Sequence, residues 1–122
     1  FTRSYGLDFR DQVSVDVSLK YAAIESGQFD VTEVYATDGL NRKAGLKVLE
    51  DDRNFFPDYN GAFLVREDTL TRFPGLEPVL NLLAGRISNE DMVDMTYQVD
   101  VQGRTVDDVA REFLVSQGLL AG

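Results

Sequence analysis

Two tyrosines, Tyr35 and Tyr59, stand where residue type and setting could do recognition chemistry. Tyr35 closes the β-rich run of residues 29–36 and is followed by Ala36, Thr37, Asp38 and Gly39, a tight-turn sequence. Tyr59 lies in a polar and aromatic loop, residues 51–60, that contains Phe55, Phe56 and Pro57. A tyrosine at a strand end can point its ring into a cleft, and one on an aromatic loop can face it from another side. Two such π faces can hold a cation, each contact being worth roughly 0.5–2 kcal/mol. A quaternary ammonium has no N–H donors and suits aromatic faces better than a site rich in carboxylate acceptors. A tyrosine at a strand end also serves as ordinary core packing with a satisfied hydroxyl, and spacing alone leaves both readings open.

The rest of the composition narrows the alternatives. There is no Cys and no His among the 122 residues. Thiolate nucleophiles, Ser-His pairs, Cys/His zinc sites and imidazole acid–base work are therefore excluded. Paired carboxylates could still act as acid and base, but no two stand in a defined motif, so an enzyme is not expected. No cofactor or metal site is expected either. The net charge of −9 opposes nucleic acid, whose phosphates demand a basic surface, and anionic lipid likewise. Hydrophobic residues make up 43% and charged residues 27%, ordinary for a globular domain. No apolar stretch approaches the roughly 18 residues of a membrane span.

The elements that must position the tyrosines read as an alternation. Residues 13–15 follow a period of two and predict a strand. A helix is expected over 19–26, preceded by Asp16 and Ser18 as cap and closed by Gly27. Residues 29–36 predict a second strand, Asp38 a cap for one helical turn through Lys43 stopped by Gly45, and residues 46–49 a third strand. That rhythm predicts α/β layering, a sheet flanked by helices. After the 51–60 loop and a further strand at 61–65 the pattern becomes helical. Short helices are expected over 67–73 and 76–83. A third is capped by Ser88 with Glu90 and Asp91, and a last one is opened by Thr105 with Asp108. In the last, Val106, Val109, Ala110, Phe113 and Leu114 share one face.

Other side chains have a plainer alternative beside the functional one. Asp38 could orient Tyr35 or contact a ligand, but an aspartate before Gly more often caps a turn, and Thr37 is similar. The run Glu50-Asp51-Asp52 could offer oxygen ligands to a divalent cation, yet lacks the alternation of a calcium loop and reads better as a solvated loop. Arg66-Glu67-Asp68 predicts a helix start with an adjacent pair. Tyr97 reads as packing, and Phe55 and Phe56 either wall the cleft or anchor the loop.

From Lys20 to Leu120 the chain resembles the C-terminal part of the substrate-binding proteins of glycine betaine/carnitine/choline ABC importers. The stretches that carry the resemblance are YAAIESGQFDV, VYATDG, GLKVLEDDRNFFPDY, LVRED, LAGRIS, YQVDVQG and VAREFLVSQGLL, in the family's order. The VYATDG and LEDDRNFFPDY blocks are the specific ones. The resemblance implies a type II periplasmic-binding-protein fold, in which two lobes meet at a hinge. Residues 1–50 would then belong to the second lobe, 51–60 to the crossover and 61–122 to the return into the first lobe, with a helical C-terminal region. It also implies that Tyr35 and Tyr59 contribute to an aromatic cage for a quaternary ammonium, with Thr37 and Asp38 beside them. The implied partner is an ABC permease, and the implied location is extracytoplasmic, at the membrane. Asp58-Tyr59-Asn60 departs from the family's more frequent wording around this tyrosine, which bears on ligand preference. The family's proteins are longer, so the chain is expected to hold part of the site, to bind weakly or not at all alone, and to be prone to self-association through uncovered strand edges. A sensing or regulatory domain of the same fold is the alternative function.

Overall fold

The computed structural model describes residues 2–121. Its helices run in the order α1 (Thr2–Tyr5), α2 (Lys20–Glu25), α3 (Gly39–Lys43), α4 (Glu67–Arg72), α5 (Leu76–Leu80), a 3-10 turn (Asn81–Leu83), α6 (Asn89–Asp100) and α7 (Val106–Ser116). The short helices begin and end where local chemistry says they should. Asp38 is the N-cap of α3, and its carboxylate accepts from the Leu40 amide at 3.0 Å. Gly27 and Gly45 take positive φ just beyond α2 and α3, the left-handed geometry that ends a helix. Asp16 fixes the approach to α2 by accepting from the Ser18 amide and hydroxyl.

The two longer helices are capped in the same way. Ser88 and Asp91 form a reciprocal capping box at the start of α6. Thr105 accepts from the Asp108 amide at the start of α7. The two helices pack on each other, with Val109 of α7 buried to 4% exposure. Of the face expected on α7, Phe113 and Leu114 are half-buried while Val106 and Ala110 are exposed. Arg104, in the connection between them, holds Glu112 through both terminal guanidinium nitrogens and also reaches Gln98. At the start of α4, Arg66 pairs with Asp68, not with the adjacent Glu67.

The expected sheet is where the structure differs. Among the described residues there is no strand: 13–15, 29–36, 46–49 and 61–65 lack strand structure and carry no ladder. The sequence signal in these runs is real, since they are alternating or apolar. A strand, however, is held by neighbours, and parallel pairing draws those neighbours from distant sequence. Among the described residues, no backbone hydrogen-bond ladder joins any of the four to another segment. Their apolar side chains are correspondingly uncovered, as at Leu49, Phe63 and Leu64.

What positions the turn after Tyr35 is the packing of α3 on α6, the most extensive between helices of this chain. Gly39 makes it possible. A Cβ at that position would stand 2.3 Å from the Tyr97 amide nitrogen and 2.6 Å from Tyr97 Cα. Only a residue without a side chain allows the two backbones to meet so closely. Thr96 completes the junction. Its hydroxyl accepts from the Gly39 amide at 2.9 Å and reaches the Thr37 carbonyl at 3.0 Å. On the flank, Arg42 pairs with Asp94 at 2.6 Å and lies over the Tyr97 ring.

Candidate functional site

The structure brings Tyr35 and Tyr59 together. Their ring centroids are 5.8 Å apart at an interplanar angle of 30°, a stacked contact. Both are solvent-facing, Tyr35 at 52% and Tyr59 at 81% exposure. They line one open cavity of about 640 Å³. Phe56 adds a third aromatic wall, and Glu33, Glu50 and Asp51 give the rim a negative charge. Tyr59 and, behind it, Glu33 raise the Tyr35 phenol above its ordinary value.

The loop carrying Tyr59 is shaped by Asp51. Its carboxylate accepts from the Phe55 amide at 3.0 Å and the Phe56 amide at 2.9 Å, and takes the Tyr5 hydroxyl from α1. Those bonds, led by that of Tyr5, hold Asp51 below the usual carboxylate range and keep it ionised. Asn54 adopts a positive φ of 49° inside the knot, a conformation asparagine tolerates. Phe55 and Phe56 then meet edge to face at 5.0 Å. Asp51 thus organises the loop as a hydrogen-bond acceptor, a role beyond that of a solvated loop residue.

Tyr35 is held from behind by a network rooted in α2 and α3. The Asn41 side-chain amide, 5% exposed, donates to the Tyr35 carbonyl at 2.7 Å. Tyr21 Oη lies 2.5 Å from an Asp38 carboxylate oxygen and 3.0 Å from Asn41 Oδ1. Burial, reinforced by the bond to Asp38, pushes the Tyr21 phenol well above its ordinary value. Asp38 is therefore occupied twice, as helix cap and as acceptor for Tyr21. Neither it nor Thr37 lines the cavity, and the Thr37 carbonyl faces Thr96.

The supporting residues Tyr21, Asn41 and Thr96 carry no signature in the sequence on their own. The nearest signal is a hydroxyl-bearing, β-branched Thr96 set between Met95 and Tyr97 in the middle of a helix, a position that propensity disfavours. A smaller hollow of about 260 Å³ lies between α6 and α7. Its carboxylates are already engaged: Asp91 in the capping box, Asp94 with Arg42 and Glu112 with Arg104.

Comparison with known proteins gives a consistent set of likenesses. Residues 1–116 match the family model described as the substrate binding domain of ABC-type glycine betaine transport system. The chain is 34% identical over 122 residues to a carnitine transport binding protein of Listeria monocytogenes, all of this chain and 40% of that one. It is 34% identical over 118 residues to a glycine-betaine-binding protein of Pseudomonas aeruginosa, 95% of this chain and 38% of that one. It is 33% identical over 117 residues to an ergothioneine transport permease/ergothioneine binding protein of Helicobacter pylori, 96% of this chain and 21% of that one. A crystal structure of a glycine betaine/carnitine/choline ABC transporter superposes with a TM-score of 0.79 at 34% identity, covering 97% of this chain and 43% of that one. The chain thus spans well under half the length of these relatives. The unladdered segments accordingly belong to a backbone path that superposes on a periplasmic-binding-protein-type structure.

Proposed function

Since the chain belongs to the family of substrate-binding domains of ABC-type glycine betaine transport systems, we propose that it forms part of the binding site for a quaternary ammonium solute in such an importer. The observation that carries this reading is the stacked pair Tyr35–Tyr59 at the mouth of one open, acid-rimmed cavity. The π faces supply attraction to a methylated cation that offers no hydrogen-bond donor. The carboxylates of Glu33, Glu50 and Asp51 add a field that draws cations toward the opening.

In this state the rings rest on each other, and a contact of 5.8 Å leaves no room for a trimethylammonium group between them. A ligand must part them or seat on the outer faces. Tyr59 is the mobile partner in this scheme, since it sits in the exposed 51–60 loop, while Tyr35 is anchored through Asn41. The 51–60 loop then serves as crossover between a part formed by residues 1–50 and a part formed by residues 61–122. Closure of two lobes around the solute, with presentation to a permease outside the cytoplasm, is the action proposed for the whole protein. Such a cycle binds and releases its solute and contains no catalytic step. Among the described residues, no helix is long and apolar enough to cross a membrane.

The test is calorimetric titration of glycine betaine, carnitine and choline into the natural protein that carries this chain, beside Tyr35→Ala and Tyr59→Ala. Saturable binding that each substitution weakens by roughly three- to thirtyfold, as the loss of one cation–π contact demands, supports the reading. Affinity unaltered by both substitutions refutes it.

A further inference from the structure

Lys20 opens α2 and is buried to 7% exposure, an unusual situation for a lysine. Its ammonium stands over two rings, 5.1 Å from the Tyr21 centroid and 5.7 Å from the Tyr35 centroid. No ion pair links it to a carboxylate among the described residues. Lys20 does not line the cavity that Tyr35 and Tyr59 share. The ring proposed to attract the solute therefore already carries a resident cation, placed outside the cavity.

We propose, resting on the functional reading above, that Lys20 is a specificity-determining residue that penalises ligands of net positive charge relative to zwitterions. Two like charges on the same ring repel. With the ammonium at 5.7 Å and a bound cation within about 6 Å of the same centroid, the two lie up to about 12 Å apart. At the effective dielectric of a half-exposed site, that repulsion weakens a monocation by roughly three- to tenfold. A zwitterion brings a carboxylate along with its quaternary nitrogen and carries no net charge, so most of this penalty cancels. The acidic rim of Glu33, Glu50 and Asp51 pulls cations to the mouth. Lys20 opposes that pull at the ring, so the balance between choline-type and betaine-type solutes depends on it.

The experiment measures affinities of the natural protein for choline, glycine betaine and the uncharged choline isostere 3,3-dimethyl-1-butanol, beside Lys20→Met and Lys20→Arg. Lys20→Met is expected to move the preference toward choline by three- to tenfold and leave the neutral isostere within twofold. Lys20→Arg, which keeps the charge, is expected to preserve the original preference. Equal weakening of all three ligands in Lys20→Met would mean that the side chain only packs, and overturns the proposal, as does an unchanged ratio. Should Lys20→Met not fold, Lys20→Gln is read against Lys20→Arg by the same ratio. A natural protein that binds none of the ligands overturns the functional reading and this one together, whereas binding with an unmoved ratio overturns this one alone.

Discussion

Gly39→Ala puts the α3–α6 junction under a defined load. The added methyl carbon would lie 2.3 Å from the Tyr97 nitrogen, 2.6 Å from its Cα and 2.9 Å from the Thr96 carbonyl carbon. All three are backbone atoms of a helix, so no rotamer change can make room. Relief requires α3 and α6 to separate by about 1 Å, and forced overpacking of this kind costs roughly 1–3 kcal/mol. The same movement stretches the Gly39 amide to Thr96 hydroxyl bond beyond its present 2.9 Å, adding roughly 0.5–1.5 kcal/mol. Replacing glycine in a helix returns up to about 1 kcal/mol, leaving a net loss of about 1–4 kcal/mol. For a protein of the relatives' length the melting temperature should fall by roughly 2–8 °C, read by differential scanning calorimetry on the natural protein. Gly61→Ala is the control, because a Cβ there meets nothing within 4 Å and its φ is not in the left-handed region. It should leave the melting temperature within about 2 °C. If Gly39→Ala behaves like Gly61→Ala, the close approach of α3 to α6 is not what holds the Tyr35 turn.

Three further outcomes follow from the hydrogen bonds around the site. The raised Tyr21 phenol adds stability that is complete below its ordinary value of 10.0 and is lost as pH climbs beyond it. Tyr21→Phe should accordingly remove the latest-ionising component from a spectrophotometric tyrosine titration and flatten the alkaline loss of stability. Asp51 runs the other way. Its lowered value means that its contribution is present above the ordinary 3.8 and disappears as pH falls below it, and Asp51→Ala should speed tryptic cleavage after Arg53 at neutral pH. Ser88→Ala removes half of a capping box and should cost about 1 kcal/mol in a denaturant melt, with no effect on ligand affinity.

Local chemistry was readable from the sequence wherever a signal needs only its neighbours. Asp38, Ser88 and Thr105 cap the helices that the sequence assigns to them, because a cap is a contact over two or three residues. The adjacency of Tyr35 and Tyr59 was reachable only by way of resemblance, since spacing could not choose between cavity wall and core. The expected strands do not form among the described residues for the opposite reason. The run FDVTEVYA has the composition of a strand, but composition cannot say whether a partner lies alongside. The supports of Tyr35 were hidden because Asn41, Tyr21 and Thr96 act through contacts spanning 6, 17 and 57 positions. No local pattern encodes those pairings.

The contact between the two phenols also gives the molecule its own optical gauge. The sequence contains no tryptophan, so near-ultraviolet dichroism is left to five tyrosines and eight phenylalanines. Chromophores stacked 5.8 Å apart couple their transitions, and the coupling falls steeply with distance. Anything that wedges the pair open will change the tyrosine band without a label. The parting of the rings proposed above can thus be timed directly in stopped flow.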